Sequence, residues 1–422
     1  MNRTLLRHWS IIGLAVAGAL PAPILRLLEV TGGPHPDLAP LVQSLVFGLA
    51  ILAAAFLLTW ASEVAETEIS ATLALVVLAL IAVLPEYAVD LFFAWSAPHV
   101  PENAHLAVAN MTGANRLLVG LAWPMVFLIF WLNSRKTTLP VNRSNSLGIL
   151  FLGAATVYSL SIPIRGHLSL IDTLVMFSLF GGYMYLASRS PSREVEEFVG
   201  PAAAIGALSA VPRRLTVIVL FVYAAAAIFA SAEPFAEGLV DTGKEFGIDE
   251  FLLVQWLAPL ASEAPEFLLA GLLAARGRPG AGLTILISSK VNQWTLLIGS
   301  LPLAFAISGG SLTPLDFDAR QAEEVFLTAG QSLFAVAIFA SLSMAWWEAI
   351  LLAALFLTQF AFTDTTVRIG YGAGYMALAA LVFLRDIPTL PSLWQATKET
   401  VAQPQSNPKP NEGRKRKKEP PT

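Results

Sequence analysis

The sequence predicts an all-α polytopic membrane protein with about 12 transmembrane helices, and three observations lead to this fold class. Of its 422 residues, 55% are hydrophobic and only 13% are charged, whereas a soluble globular chain is about 25% charged. Apolar runs of about 20 residues, long enough to cross about 30 Å of hydrocarbon, recur from end to end. Because backbone polar groups in lipid must be paired within their own segment, these runs are predicted to be helices.

The predicted spans follow one another along the whole chain and leave no soluble domain of ordinary size. The first span follows Arg3 and Arg7 but has no convincing signal-peptide cleavage site, so we interpret it as a retained helix. The spans lie near residues 9–28, 38–60, 71–94, 104–132, 146–163, 168–187, 214–236, 250–275, 281–308, 324–342, 345–363 and 368–384.

Lysine and arginine are concentrated in alternate connections between these spans. The basic connections carry Arg135, Lys136 and Arg143, then Arg189, Arg193, Arg213 and Arg214, then Arg276 and Arg278. By the positive-inside rule these connections are cytoplasmic, and the even span count then places both termini in the cytoplasm. We therefore predict an integral protein of a bacterial cytoplasmic (inner) membrane.

The composition also excludes several kinds of site. The chain contains no cysteine, and its five histidines show no ligand spacing. Disulfides and thiolate metal sites are therefore excluded, and nothing indicates a zinc or haem centre. We expect no cofactor.

Two stretches of the sequence, 58–90 and 235–270, resemble each other. Each has an acidic helix end and, farther on, a proline followed by a glutamate in mid-span, at Glu86 and Glu266. A polar stretch follows in the next span of each half, at 110–116 and 288–295. The loop count gives the two Pro-Glu spans opposite directions, so the repeats are predicted to be inverted, as is typical of secondary transporters.

The buried carboxylates of the repeats predict a cation site. A carboxylate within a span costs about 2.5–3.5 kcal/mol on insertion scales unless it is solvated, paired or bound to a cation. The proline before Glu86 and Glu266 removes a backbone N–H and frees a carbonyl oxygen that can join the carboxylate as a ligand. Oxygen ligands suit hard cations such as Ca²⁺ or Na⁺. Glu86 and Glu266 are therefore the predicted metal ligands.

Further polar residues share a helix face with these glutamates or lie in the partner spans. The predicted additional ion-binding residues are Asp90, Glu263, Asn115, Asn292, Ser289 and Ser262. Arg116 and Lys290 are predicted to compensate charge, and together with four carboxylates they leave a formal charge of −2. Several carboxylates in one site oppose each other's ionisation, so we expect at least one of them to exchange protons.

The order of acidic helix end, Ile-Ser or Ile-Asp, Pro-Glu in mid-span and an Asn-bearing next span resembles the α-repeats of the cation/calcium exchanger superfamily. That family's repeats usually read G-T-S-L-P-E, followed by G-S-N in the next helix, and their two glutamates bind the transported ion. The resemblance implies that Glu86 and Glu266 bind the ion, and that Asn115 and Asn292 are the asparagines of G-S-N.

Two blocks, 40–125 and 215–305, carry the resemblance, and each departs from the family pattern. The first repeat reads Ala-Val-Leu-Pro-Glu, without Thr and Ser, and the second reads Ser-Glu-Ala-Pro-Glu, with Glu263 where a serine is usual. The pattern does not include Arg116 or Lys290 either. A fixed cation in the site would take the place of a bound Na⁺ and would favour either proton coupling or a changed stoichiometry.

The repeats divide the chain into six predicted segments. These are 1–37, an extra N-terminal helix and loop; 38–187, the first exchanger-like half; 188–213, a cytoplasmic basic linker; 214–363, the second, inverted half; 364–390, an extra C-terminal helix; and 391–422, a disordered basic cytoplasmic tail. The fold is thus predicted to be a ten-helix core of two inverted five-helix repeats with one extra span at each end.

The resemblance implies a secondary antiporter, not an enzyme, that moves Ca²⁺ or a related cation in exchange for Na⁺ or H⁺ by alternating access. One alternative is a Na⁺/H⁺ antiporter in which Lys290 or Arg116 alternates with the ion as partner of the carboxylates. A non-transporting membrane sensor and an intramembrane enzyme are further alternatives, although the spans contain no nucleophile–base pair. The expected partners are the lipid bilayer and inorganic cations, with no nucleic acid.

Overall fold

The computed structural model describes residues 3–33, 37–66, 83–189, 198, 200–362 and 364–402. Several sequence predictions fall partly outside these residues: the middle of the repeat stretch 58–90, the beginning of the span at 71–94, the middle of the basic linker, the last residue of the span at 345–363 and the tail from residue 403.

The first half of the chain consists of helices joined by short connections. Two helices at the start, α1 (Arg3–Ala19) and α2 (Pro21–Val30), form one apolar unit that is interrupted where proline enters. They are followed by α3 (Pro40–Ala65), α4 (Leu84–Ser96), α5 (Asn103–Leu117), α6 (Trp123–Ser134), α7 (Ser146–Ser159), α8 (Ser161–Arg165) and α9 (Leu170–Ala187).

The second half repeats this organisation and ends with two additional helices. Its helices are α10 (Ala202–Gly206), α11 (Ala210–Phe246), α12 (Glu250–Ala275), α13 (Pro279–Asn292), α14 (Ile298–Gly309), α15 (Ala319–Phe339), α16 (Trp346–Thr358), α17 (Thr365–Asp386) and α18 (Leu390–Ala402).

Ten helical units within the described residues are long and apolar enough to cross a membrane. A shorter apolar helix, Trp346–Ala361, accounts for an eleventh predicted span. The span predicted at 71–94 is described only from residue 83 onward, where α4 lies. The protein is therefore an integral membrane protein, and the predicted all-helical membrane fold is confirmed.

The helices of the two halves pack against each other and do not form separate domains. α3 packs along α11, and both α12 and α15 pack against α5. The apolar core runs through both halves, and a smaller apolar cluster lies where α1, α3 and α11 meet. Residues from both repeats can therefore line one site.

Two short antiparallel strand pairs also connect the halves. β1 (Thr138–Pro140) pairs with β4 (Ser343–Ala345), and β2 (His167–Leu168) pairs with β3 (Leu315–Asp316). In each pair one strand comes from a connection of the first half and the other from a connection of the second half. The backbone hydrogen bonds of the strands thus add to the helix packing that holds the halves together.

Two acidic residues at helix starts have structural roles. The carboxylate of Asp172 accepts hydrogen bonds from the backbone N–H and the hydroxyl of Ser169, at 2.7 and 2.9 Å. Glu348 accepts from the backbone N–H of Ala345 at 2.7 Å and pairs with Arg385 at 2.7 Å. Both carboxylates therefore cap the first turn of their helices, α9 and α16.

The C-terminal segment differs from the sequence prediction. Disorder was expected from residue 391 onward, but α18 extends from Leu390 to Ala402 and packs against α7. Glu399 of α18 forms an ion pair with Arg143 at 3.1 Å. The expectation of disorder is thus wrong for residues 391–402, because composition alone does not reveal an apolar helix face that can pack on the body of the protein.

Candidate cation-binding site

Glu86 lies in the first turn of α4. The helix begins at Leu84 with Pro85 in its first turn, where the missing proline N–H would have had no helical partner. The free N–H groups at a helix start favour negative charge. The sequence therefore places the carboxylate of Glu86, which is 3% exposed, at a favourable end of its helix.

Two further carboxylates, those of Glu263 and Glu266, lie on α12. This helix continues through Pro259 and Pro265, and each proline leaves one carbonyl of the preceding turn without its helical N–H partner. Glu263 is 3% exposed, and Glu266 is half-buried with its Oε2 atom inaccessible. Both carboxylates sit beside a helical stretch that carries freed carbonyl oxygens.

The two halves bring these three glutamates to one small cavity. The accessible volume of this cavity is about 10 Å³, which is enough for a single water molecule or small ion. Five of the predicted site residues line this cavity together with Val83, Pro85 and Gln293: they are Glu86, Ser262, Glu263, Glu266 and Ser289.

Gln293 is a lining residue that the sequence analysis did not select. Its Nε2 donates to Glu263 Oε1 at 2.8 Å and to the hydroxyl of Ser289 at 3.3 Å. Gln293 directly follows Asn292, and in the repeat alignment it corresponds to Arg116. A comparison of the repeats position by position would have identified it.

Asp90 is fully buried, one helical turn beyond Glu86, and does not line the cavity. It lies beside the side chain of Asn110 and the backbone of Met111, and it interacts electrostatically with Glu86 and Glu263. Among the described residues, neither carboxylate oxygen of Asp90 has a hydrogen bond of ordinary geometry. Asp90 thus contributes charge next to the cavity rather than a ligand inside it.

Lys290 joins the two halves at the site. Its Nζ atom donates to Oδ1 of Asn115 at 2.7 Å and to the Asn115 backbone oxygen at 3.3 Å. It lies 4.4 Å from the centroid of the Trp294 ring and interacts electrostatically with Glu263 and Glu86. The ammonium is fully buried, so these oxygens and carboxylates replace its hydration.

The two predicted asparagines do not line the cavity. Asn115 donates from Nδ2 to the carbonyl of Met111 at 2.8 Å and binds Lys290 through both of its oxygens. Asn292 accepts from the hydroxyl of Tyr87 at 3.0 Å. In this conformation both asparagines connect the two halves, since Asn115 and Tyr87 belong to the first and Lys290 and Asn292 to the second.

Arg116 is not a counter-charge of the cavity, which corrects the sequence prediction. Its guanidinium pairs with Glu324 at 2.7 Å and lies 4.9 Å from the centroid of the Trp256 ring. Glu324, at the start of the span predicted at 324–342, is not among the predicted site residues. With Arg116 neutralised elsewhere, four carboxylates and Lys290 give a formal charge of −3, not −2.

A π-helical turn lies at or just beyond the end of the polar stretch in each half. One turn covers Leu118–Ala122, between α5 and α6, and the other covers Gln293–Leu297, between α13 and α14. Such turns are rare overall, but those that occur are often found at functional sites. The extra residue in the turn rotates the helix after it relative to the helix before it. Here they lie beside Asn115 and Asn292.

The arrangement has the chemistry of a cation site that is closed around little space. Among the described residues, Glu86 Oε1, Glu263 Oε2 and Glu266 Oε2 are buried without a hydrogen-bond donor. No three acidic or histidine side chains in the described part of the chain converge on one point as a metal site would require. The glutamates therefore line the cavity without already forming a coordination shell.

Comparison with protein families and solved structures gives a consistent result. The family model described as "Sodium/calcium exchanger protein" matches residues 39–189 and 216–363. The crystal structure of the H⁺/Ca²⁺ exchanger CAX is 42% identical in sequence, with 94% of this chain and 99% of that chain covered at a TM-score of 0.88. A search of curated protein sequences gave no match.

Two more distant structures share the fold. The sodium-calcium exchanger NCX_Mj is 17% identical, with 76% of this chain and 97% of that chain covered and a TM-score of 0.51. Native YfkE is 16% identical, with 86% and 99% covered and a TM-score of 0.58. The predicted architecture of inverted repeats and the predicted resemblance are thus confirmed.

Proposed function

We propose that this chain, which belongs to the sodium/calcium exchanger protein family, is a secondary antiporter that exchanges Ca²⁺ for protons across a membrane. The observation that carries the proposal is one small cavity that Glu86, Glu263 and Glu266 line together. The 42% identity to an H⁺/Ca²⁺ exchanger over 94% of the chain supports the same pair of ions.

Calcium is favoured as cargo by the donor atoms around the cavity. Ca²⁺ takes six to eight oxygen ligands and tolerates irregular geometry. The three glutamates supply up to six carboxylate oxygens, and Ser262 and Ser289 add two hydroxyl oxygens. Among the described residues, the three carboxylates do not converge on one point in this conformation. Binding of Ca²⁺ therefore requires the glutamate side chains to turn toward a common centre.

Protons are favoured as the exchanged ion by the charge of the site. Glu86, Asp90, Glu263 and Glu266, with Lys290, would carry a formal charge of −3 if all were ionised. Carboxylates that share a buried site oppose each other's ionisation, so the empty site holds protons. Release of two protons as Ca²⁺ enters leaves the total charge unchanged, which avoids an uncompensated charge in the membrane interior.

The contact between Lys290 and Asn115 favours protons over Na⁺. A Na⁺ ion at this point would use oxygen ligands such as the side-chain and backbone oxygens of Asn115. The ammonium of Lys290 already binds both oxygens. The chain therefore supplies its own monovalent cation at this position.

The same lysine favours a second candidate function, Na⁺/H⁺ antiport. Lys290 interacts electrostatically with Glu263 and Glu86, so a Na⁺ ion bound by these carboxylates would compete with the ammonium for them. Transport of Na⁺ without any movement of Ca²⁺ would distinguish this function from Ca²⁺/H⁺ exchange.

The charges of the connections support an orientation in the membrane. The basic connection that contains Arg135 and Arg143 and the one that contains Arg276 and Arg278 lie on the side that the positive-inside rule assigns to the cytoplasm. We therefore place both termini in the cytoplasm, in a bacterial cytoplasmic membrane.

The proposal is tested by ion flux in proteoliposomes that contain the purified full chain. Vesicles loaded with Ca²⁺ are placed under a pH gradient or a Na⁺ gradient, and Glu266→Gln serves as the inactive control. Ca²⁺ movement driven by the pH gradient is the expected result. Movement driven only by Na⁺ would contradict proton coupling, and absence of Ca²⁺ movement under both gradients would contradict the proposed cargo.

A further inference from the structure

A second buried group of charges lies outside the cavity, and we refer to it as the arginine–glutamate network. It consists of Arg116 on α5, Glu323 and Glu324 on α15, and Arg368 on α17. Arg116 Nη1 lies 2.7 Å from Glu324 Oε2, and Arg368 Nε lies 2.7 Å from Glu323 Oε1. Arg368 also donates to Glu324 Oε1, so Glu324 bridges the two arginines. None of the four side chains is more than 7% exposed.

The charges of the network balance only when Arg368 is included. Two arginines and two glutamates are neutral, whereas Arg116 alone would leave one negative charge of Glu323 and Glu324 without a partner. An unpaired charge in a buried site is costly, while a pair with good geometry is tolerated. Arginine suits this position because its planar fork of donors can contact two carboxylates at once.

Arg368 reaches the network from a helix beyond the residues that the family model matches. The match ends at residue 363, and α17 begins at Thr365. α17 crosses α15 at small residues: a Cβ atom added to Gly330 would lie 2.7 Å from the carbonyl oxygen of Gly372. Glycines at a crossing let two membrane helices approach closely, which holds Arg368 against the glutamates of α15.

The network is adjacent in sequence to the contact between Asn115 of the first half and Lys290 of the second. Arg116 follows Asn115, whose oxygens bind Lys290. Gln331 of α15 donates from Nε2 to the carbonyl of Arg116 at 3.4 Å, so α15 contacts both the side chain and the backbone of Arg116. Asn115 and Arg116 lie in the last turn of α5, directly before the π-helical turn that begins at Leu118, where the regular helix ends and further contacts are needed to restrain the segment. The contacts of Arg116 supply that restraint.

We propose that Arg368 is a positioning residue for the cation site, an inference that rests on the proposed function. By neutralising Glu323, Arg368 leaves Glu324 as the partner of Arg116, and Arg116 holds Asn115 where it binds Lys290. Arg368 does not line the cavity. A helix outside the matched family region is thus required for the geometry of the ion site, and is more than an additional membrane anchor.

The test measures proton-driven Ca²⁺ flux in proteoliposomes as a function of Ca²⁺ concentration. We expect Arg368→Gln, which leaves one negative charge unpaired, to raise the half-saturating Ca²⁺ concentration at least about fivefold. The double variant Arg368→Gln with Glu323→Gln is neutral again, and we expect its value to return to within about twofold of wild type. Arg385→Gln is the matched control, because Arg385 lies on the same helix but is 45% exposed and pairs with Glu348 and Asp386.

The half-saturating concentration separates positioning from a merely structural role. A folding defect lowers the number of active molecules and the maximal flux, but it leaves that concentration unchanged. An unchanged value in Arg368→Gln, or a double variant no better than the single one, overturns the inference. If Arg368→Gln does not accumulate, Glu323→Gln, which leaves one positive charge unpaired, is compared with the neutral double variant instead; equal half-saturating concentrations in these two variants overturn the inference as well.

The wild-type protein separates failure of this inference from failure of the proposed function. Wild type and Glu266→Gln are measured first in the same vesicles. If wild type moves no Ca²⁺, the proposed cargo is wrong, and the Arg368 variants are compared by the half-saturating concentration of Na⁺ instead. A wild type with normal Ca²⁺ flux beside an Arg368→Gln variant with unchanged half-saturation contradicts only the role of Arg368.

Discussion

Lys290 Nζ lies 2.7 Å from Oδ1 and 3.3 Å from the backbone oxygen of Asn115, so a cation of the second half is bound by two oxygens of the first. In the repeat alignment that matches Asn115 with Asn292, the position of Lys290 corresponds to Gly113. No side chain fits there, because a Cβ atom at Gly113 would lie 1.8 Å from the carbonyl oxygen of Gln255. The site is therefore asymmetric, with one built-in cation instead of two.

Replacement of Lys290 by methionine should make the transporter respond to Na⁺. The change removes the ammonium and leaves both oxygens of Asn115 free for a monovalent cation, while the length of the side chain is nearly kept. We expect external Na⁺ to inhibit or drive Ca²⁺ flux in Lys290→Met but not in wild type. Lys244→Met is the control, since Lys244 is exposed at the end of α11. A Lys290→Met protein that transports Ca²⁺ with protons and ignores Na⁺ would show that the lysine has no part in ion selection.

Neutral replacement of the two Pro-Glu glutamates should abolish transport without preventing membrane insertion. Glutamine keeps the shape of Glu86 or Glu266 but removes the charge that binds a cation or a proton, so Ca²⁺ flux should fall by about 100-fold or more, to background. Burial of a neutral amide is less costly than burial of a carboxylate, and the amount of purified protein should not fall. Glu245→Gln, at an exposed position, should transport as wild type does. Substantial flux in both glutamine variants would remove these residues from the site.

The sequence predicts the fold and part of the site for different reasons. Membrane helices are long apolar segments, and composition is enough to find them; the span predicted at 250–275 coincides with α12. Glu86 and Glu266 were identified because a carboxylate in an apolar span is costly unless it is solvated, paired or bound to a cation. They also occupy equivalent positions in the two repeats. The first signal is local to each span, and the second needs only a comparison of two short stretches, 58–90 and 235–270.

The role of Arg116 could not be predicted in this way, because its partner Glu324 lies more than 200 residues away in the chain. Its place in the polar stretch 110–116 of the partner span suggested a role at the cavity, but helix geometry turns successive side chains by about 100°. Asn115 therefore binds Lys290 while Arg116 pairs with Glu324. Only the packing of α15 against α5 decides which carboxylate a buried arginine reaches.

Removal of the Gln293 side chain should weaken Ca²⁺ binding. Its Nε2 holds Glu263 Oε1 at 2.8 Å, and without this donor the carboxylate is no longer oriented at the cavity. We expect Gln293→Ala to raise the half-saturating Ca²⁺ concentration about tenfold or more, the effect of a hydrogen bond to a charged group. Gln395→Ala, on the exposed side of α18, is the comparison. A value equal to wild type in Gln293→Ala would mean that Glu263 binds the ion unaided or not at all.

Addition of a single methyl group at Gly113 should destabilise the contact between the halves. Pro259 lacks the N–H that would bond the carbonyl of Gln255 one turn earlier, and that carbonyl points at Gly113, where an added Cβ would lie only 1.8 Å from the oxygen. The helices α5 and α12 must then separate, and such overpacking costs about 1–3 kcal/mol. We expect Gly113→Ala to lower the melting temperature of the detergent-solubilised protein by about 3 °C or more.

Gly374→Ala is the matched control for this prediction, because it makes the same substitution within helix α17 with no atom within 4 Å of the added Cβ. There alanine should leave stability unchanged or raise it slightly, since it has the higher helix propensity. If both variants melt at the wild-type temperature, α5 and α12 can separate at no cost, and the close approach of Gly113 to Gln255 does not restrain the site. If only Gly113→Ala melts earlier and also loses Ca²⁺ flux, the same helix crossing that joins the two repeats is what keeps Asn115 within reach of Lys290.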